Sequence, residues 1–121
     1  MKLLDTNIII YSYQPEYAFL KTLVLAPESA VSAISRLETL GFHGIEPGEQ
    51  TYCEYAFQIL QQFPIDDDVL EEAIRLRKTY RMKLADSIVA ATAMLNNAEL
   101  NTRNVSDFKN IPGLMLVNPI P

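Results

Sequence analysis

Four acids in this 121-residue chain stand where chemistry would need them: Asp5, Glu38, Asp86 and Asp107. Asp5 ends a short run with strand character, Lys2–Asp5, and Glu38 lies one helical turn beyond a second, Ser29–Ala33. Asp86 opens the apolar segment Leu84–Asn96, and Asp107 lies in the loop after Ala98–Thr102. In a parallel α/β sheet the carboxyl ends of the strands share one edge, where ligands bind, so acids just past strand ends can converge. Two carboxylates ~4 Å apart repel by roughly 4 kcal/mol at an effective dielectric near 20. Such a cluster must take up protons or a cation. With one His and one Cys in the chain, the donors available are oxygens, which suit Mg²⁺ or Mn²⁺ better than Zn²⁺.

Each acid also has a plainer role open to it. Asp5 can cap the helix that follows. Ser35-Arg36-Leu37-Glu38 fits a capping box, in which Glu38 satisfies backbone donors. Asp86 can complement the positive end of a helix dipole, and Asp107 can shape a turn with Ser106. Taken together these roles are less economical, because Asp86 is the only charge in LADSIVAATAMLN. It is expected to face a cavity lined by protein.

The elements that must position these acids alternate. Strands are expected at Lys2–Asp5, Ser29–Ala33, Ala98–Thr102 and Leu114–Val117, with a very short extended piece at Ile65–Asp66. Helices are expected over Thr6–Tyr13, from Pro15 to Pro27, over Ser35–Phe42, Pro47–Phe63 and Asp67–Tyr80, and over Leu84–Asn96, which is apolar nearly all round and so buried. Strands alternating with helices indicate an α/β domain with a mostly parallel sheet. No repeat or linker divides the chain, so residues 1–121 are read as one domain.

Composition narrows the function classes. The chain has 10 Lys+Arg against 15 Asp+Glu, a net charge of −5, which argues against a general polyanion binder but leaves room for a local basic patch. One cysteine excludes an internal disulfide framework. No apolar stretch is long enough to span a membrane and no signal peptide is visible, so a cytoplasmic protein is expected. The four glycines, Gly41, Gly44, Gly48 and Gly113, form no phosphate-cradling loop.

At its acids the sequence resembles the PIN-domain ribonucleases, most closely the VapC-type toxins of toxin–antitoxin pairs. The matching segments are LLDTNIIIY (Leu3–Tyr11), VSAISRLETLG (Val31–Gly41), MKLADSIVAATA (Met82–Ala93) and NTRNVSDFKNIPGL (Asn101–Leu114). Their order and spacing cover essentially the whole chain. The resemblance implies a three-layer α/β/α sandwich and Mg²⁺- or Mn²⁺-dependent endonucleolytic cleavage of RNA. It implies metal-site roles for Asp5, Glu38, Asp86 and Asp107, with polar support from Thr6, Asn7, Thr102 and Asn104; Asn104 and Asp107 can share the fourth position. It also implies a homodimer and a cognate antitoxin as partner. Asn101 stands where the family strand is usually apolar, so that strand end is expected to be looser.

Arg36 and Arg103, each close in sequence to an acid, are candidate contacts for RNA phosphates. Arg75, Arg77, Lys78, Arg81 and Lys83 put five basic residues in nine; they can form a phosphate-guiding rim, or simply match the dipole of a helix whose start is acidic. His43 reads as a loop residue and Cys53 as core packing. Tyr11 and Tyr13 serve either the core or a dimer contact. Two other readings compete: a catalytically silent PIN-like binding module, and a phosphoacceptor signalling domain. The latter needs an aspartate closing a central strand near mid-chain and a lysine closing the last.

Overall fold

The computed structural model describes all of the chain, Met1–Pro121. Five strands form one sheet: β1 (Lys2–Leu4), β2 (Ser29–Ser32), β3 (Gln61–Phe63), β4 (Glu99–Asn101) and β5 (Leu116–Val117). Their order is β3-β2-β1-β4-β5, and every neighbouring pair is parallel. Six α-helices flank it: α1 (Thr6–Tyr13), α2 (Lys21–Val24), α3 (Ala33–Leu40), α4 (Pro47–Ile59), α5 (Asp67–Thr79) and α6 (Leu84–Leu95).

Strand pleating builds the layers, because successive side chains point to opposite faces. Leu3, Ala30 and Leu100 join the core beneath α5 and α6, whereas Leu4 and Val31 join the core beneath α1, α2 and α4. A three-layer α/β/α sandwich results. In α6 every residue from Ser87 to Ala93 is buried; its alanines keep the helix slim, so the sheet and α5 can pack against it closely.

Capping explains several boundaries. Asp66 accepts the Val69 N–H at the start of α5, with acids in the first turn and Arg77 and Lys78 in the last. Ser32, not Ser35, caps α3, its hydroxyl accepting the Ile34 N–H. The capping box expected at Ser35–Glu38 therefore does not form, which frees both side chains for other partners.

Three other expectations change. The segment after Pro15 is not one helix: a 3₁₀ stretch covers Pro15–Leu20, interrupted at Tyr17 (φ −115°, ψ 20°), and α2 is a single turn. The helix from Pro47 ends at Ile59 instead of Phe63, because Leu60 turns extended (ψ 137°) and the next three residues pair with β2. That pairing makes Gln61–Phe63 the edge strand and leaves Ile65–Asp66 outside the sheet. The strand end at Asn101 is not loose. Asn101 is 2% exposed, pairs with Leu4 on one side and Val117 on the other, and its amide donates to the Glu99 carboxylate.

The connections run from β1 outward through β2 to β3, then jump back to β4 on the other side of β1. Strand order thus reverses between β1 and β4, and a crevice opens there at the carboxyl ends. No helix is long and apolar enough to cross a membrane.

Candidate active site

The crevice begins where β1 and β4 end. The Asp5 N–H donates to the Asn101 carbonyl (2.9 Å), which holds the residue after β1 against the last residue of β4. Asp5 is 7% exposed, and both its carboxylate oxygens accept hydrogen bonds. Its Oδ1 accepts the Thr6 N–H (2.8 Å), and its Oδ2 accepts the Thr102 hydroxyl (2.8 Å) and the Asn7 amide (3.3 Å). Asp5 therefore does cap α1, and the same geometry fixes its carboxylate at the crevice floor.

Glu38 reaches the site from α3. Its Oε1 accepts the Thr6 hydroxyl at 2.6 Å, and the Ser35 hydroxyl lies 2.9 Å from that same oxygen of Thr6. Thr6 has one hydroxyl proton; with that proton on Glu38, Ser35 must donate to Thr6. A relay Ser35→Thr6→Glu38 results, and Ser35 is a supporting residue that sequence reasoning missed. The signal was present: Ser35 and Glu38 are three apart and share a helix face.

Asp86, in the first turn of α6, is half-buried, and Asp107 ends a 3₁₀ turn (Val105–Asp107) and is exposed. Together with Tyr80, Arg81, Lys83 and Ser106 they line a hollow of about 470 Å³. This is the protein-lined cavity expected for Asp86. Asn104 donates its backbone N–H to the Thr102 hydroxyl (3.0 Å), so Thr102 is a junction between the loop and Asp5.

The four carboxylates act on one another through space. Burial holds the Asp5 carboxyl above its ordinary range; the bonds from Thr102 and Thr6 pull it back, and Glu38 and Asp107 push it up. Asp86 is pushed up to about 6, first by burial, then by the charges of Asp5 and Asp107; Lys83 pulls it back, and Glu38 adds a further upward push. The chain's one ion pair joins Arg75 to Glu72, so none of the four acids is paired with a cation. Hard oxygen donors outside any salt bridge fit a hard divalent ion. No three of them are already arranged to hold one; Glu38 and Asp107 are exposed.

The basic residues divide. Arg77 and Lys78 lie in the last turn of α5, where they complement its dipole, but Arg81 and Lys83 stand beyond the helix at the hollow itself. Arg103 lies beside the site, its backbone N–H donating to the Asn7 side-chain Oδ1 (3.3 Å). Arg36 is not brought to the acids. Two positions from Glu38, it falls about 200° around the helix and lines a different hollow with Glu54, Phe57 and Gln62. Cys53 is core, and His43 lies in a loop, as expected. The signalling-domain reading fails structurally: β3 runs into Phe63-Pro64 with no aspartate at its end, and β5 is followed by Asn118-Pro119, not lysine.

Comparison with known proteins agrees with this architecture. Ribonuclease VapC19 of Mycobacterium tuberculosis is 31% identical, the alignment covering 94% of this chain and 97% of that protein. A toxin–antitoxin complex from Klebsiella pneumoniae contains a chain that superposes with a TM-score of 0.80 at 33% identity, covering 98% of both chains. A chain of VapBC2 from Rickettsia felis, solved bound to a DNA fragment from its promoter, gives 0.78 at 25% identity and 97% coverage of both. The PIN domain family profile matches residues 2–114. On sequence and fold alike, the chain belongs to the PIN domain family.

Proposed function

We propose that this chain is a Mg²⁺- or Mn²⁺-dependent endoribonuclease and the toxin of a toxin–antitoxin pair, working in the cytoplasm as a homodimer restrained by its cognate antitoxin. One observation carries the nuclease reading. Four carboxylates repel one another at the sheet's switch point, Asp5 and Glu38 tied through Thr6 and Asp86 and Asp107 across one hollow, and none of them is in a salt bridge. The relatives described above support the toxin and antitoxin parts, being a ribonuclease by name and toxin–antitoxin complexes.

Asp5, Glu38 and Asp86 would hold the principal ion, with Asp107, supported by Asn104, completing the set. When bound, such an ion supplies a water of lowered pKa and neutralises charge on the phosphoryl oxygens. The chain's own groups do the rest. Thr102, Thr6 and Asn7 fix the Asp5 carboxylate in place. Thr6, itself held by Ser35, holds one oxygen of Glu38. Asp86 loses its proton above about pH 6, so the site gains negative charge for a cation across neutral pH. Arg81 and Lys83 at the hollow's rim offset repulsion between the acids and an incoming phosphate chain.

The test is cleavage of total RNA by purified protein with Mg²⁺ or Mn²⁺, against the same assay in excess EDTA and with Asp5→Asn. Cleavage that needs the metal and the acid is expected. Cleavage in EDTA would overturn the mechanism, and no cleavage with either metal would leave the silent binding module as the better account.

A further inference from the structure

Arg103 is held in a way its surface position does not require. Its guanidinium carbon lies 4.7 Å from the Tyr11 ring centre and 5.9 Å from that of Tyr17, and its Nη1 donates to the Tyr17 hydroxyl (3.3 Å). The two rings meet edge to face at 4.9 Å and 68°, so each supports the other as well as the arginine. The backbone is anchored too: the Arg103 N–H donates to Asn7, whose amide reaches Asp5 Oδ2 (3.3 Å). Thr102, the preceding residue, donates to that same oxygen. In a chain with 15 acids, this exposed arginine has no carboxylate partner.

We propose that Tyr11 and Tyr17 are positioning residues that hold Arg103 ready for one backbone phosphate of the RNA strand, beside the bond that is cut. The proposal rests on the ribonuclease reading above. An arginine carries five N–H donors in a rigid fork matched to phosphate; Tyr17 takes one, and the others remain. Stacking on two rings fixes a flexible side chain before the substrate arrives, so less ordering is left to be done on binding. The anchor through Asn7 sets the distance between this phosphate contact and Asp5. The 3₁₀ stretch is interrupted at Tyr17, whose ring lies beside Tyr11.

The experiment is steady-state cleavage of a single-stranded RNA oligonucleotide by the full chain over a range of KCl concentrations. Arg103→Gln should raise KM about tenfold with little change in kcat, and reduce the slope of log(kcat/KM) against log[salt] by roughly 0.7, the loss of one single-strand phosphate contact. Arg103→Lys, which keeps charge but not the fork, should fall between. Tyr11→Leu and Tyr17→Phe should each raise KM in the parent but add nothing in the Arg103→Gln background, since they act through the arginine. Parental KM and slope in Arg103→Gln would overturn the proposal, as would tyrosine effects of equal size in both backgrounds. If the parent cuts no RNA, the nuclease reading fails on its own; anisotropy of a labelled RNA on the same variants, read by the same criteria, then decides the role of Arg103.

Discussion

Thr102 donates its hydroxyl to Asp5 Oδ2 at 2.8 Å across 97 residues of sequence. The bond closes the gap between β1 and β4, where the order of strands reverses, and it joins the loop carrying Asn104 and Asp107 to the most buried acid of the site. Replacing Thr102 by Val keeps the shape and removes the donor. Orienting partners of metal ligands are worth about 10–100-fold in affinity or activity, and a loss of that size is expected for Thr102→Val, measured as Mn²⁺ affinity by calorimetry and as kcat. Unchanged affinity would show that Asp5 needs no orienting.

Asp5→Asn and Asp86→Asn should each reduce RNA cleavage by at least about 100-fold, as expected when a ligand rather than its support is removed. The two should not multiply, because groups that act as a unit are not additive. Single and double variants assayed together at saturating Mn²⁺ decide this; a double variant far slower than either single would mean two separate contributions.

Stability of the metal-free protein should depend on pH in a defined direction. Asp86 is held at about 6 in the folded chain against 3.8 ordinarily, so between these values the folded state binds more protons than the unfolded one. Its contribution therefore opposes folding above pH 6 and is relieved as pH falls toward 4. Melting in EDTA at pH 7.5 and 5.5 should show Asp86→Asn more stable than the parent at the higher pH, with the difference shrinking at the lower. Asp86 is half-exposed, so solvent screening keeps the effect modest. A variant less stable than the parent at pH 7.5 would contradict the direction.

The same proton competes with a cation. Metal affinity should rise with pH through about 6 in the parent, and the Mn²⁺-induced gain in melting temperature should be larger at pH 7.5 than at pH 5.5. Equal gains at both would place Asp86 outside the binding set.

Ser35→Ala gives a milder test of the relay to Glu38. It removes one donor to Thr6 but leaves the Thr6 proton on Glu38, so a loss of about 0.5–1.5 kcal/mol in stability is expected, with activity retained within a few fold. Thr6→Val, which strips Glu38 of its holder, should cost more activity than Ser35→Ala. The reverse order would mean that Ser35 touches the substrate directly.

Local signals made most of this readable from sequence. Asp5 follows three strand residues and caps the next helix, and Asp86 interrupts an apolar helix alone, so type and position coincide within a few residues. What escaped depended on distant partners. Gln61–Phe63 continues a helical period but becomes a strand because β2 lies open beside it. Ser35 satisfies a local capping pattern that Ser32 takes instead, and only the fold brings Thr6 within reach. Arg36 and Arg103 look alike by proximity to an acid, yet helix rotation carries one away while a loop keeps the other near.

The crevice draws on both extremes of the polypeptide. β1 needs β4 as a neighbour, and Asp5 finds its hydroxyl partner only at residue 102. A chain halted anywhere before Asn101 would thus leave the opening strand with an unpaired edge and Asp5 without its hydroxyl partner, so the crevice could not assemble.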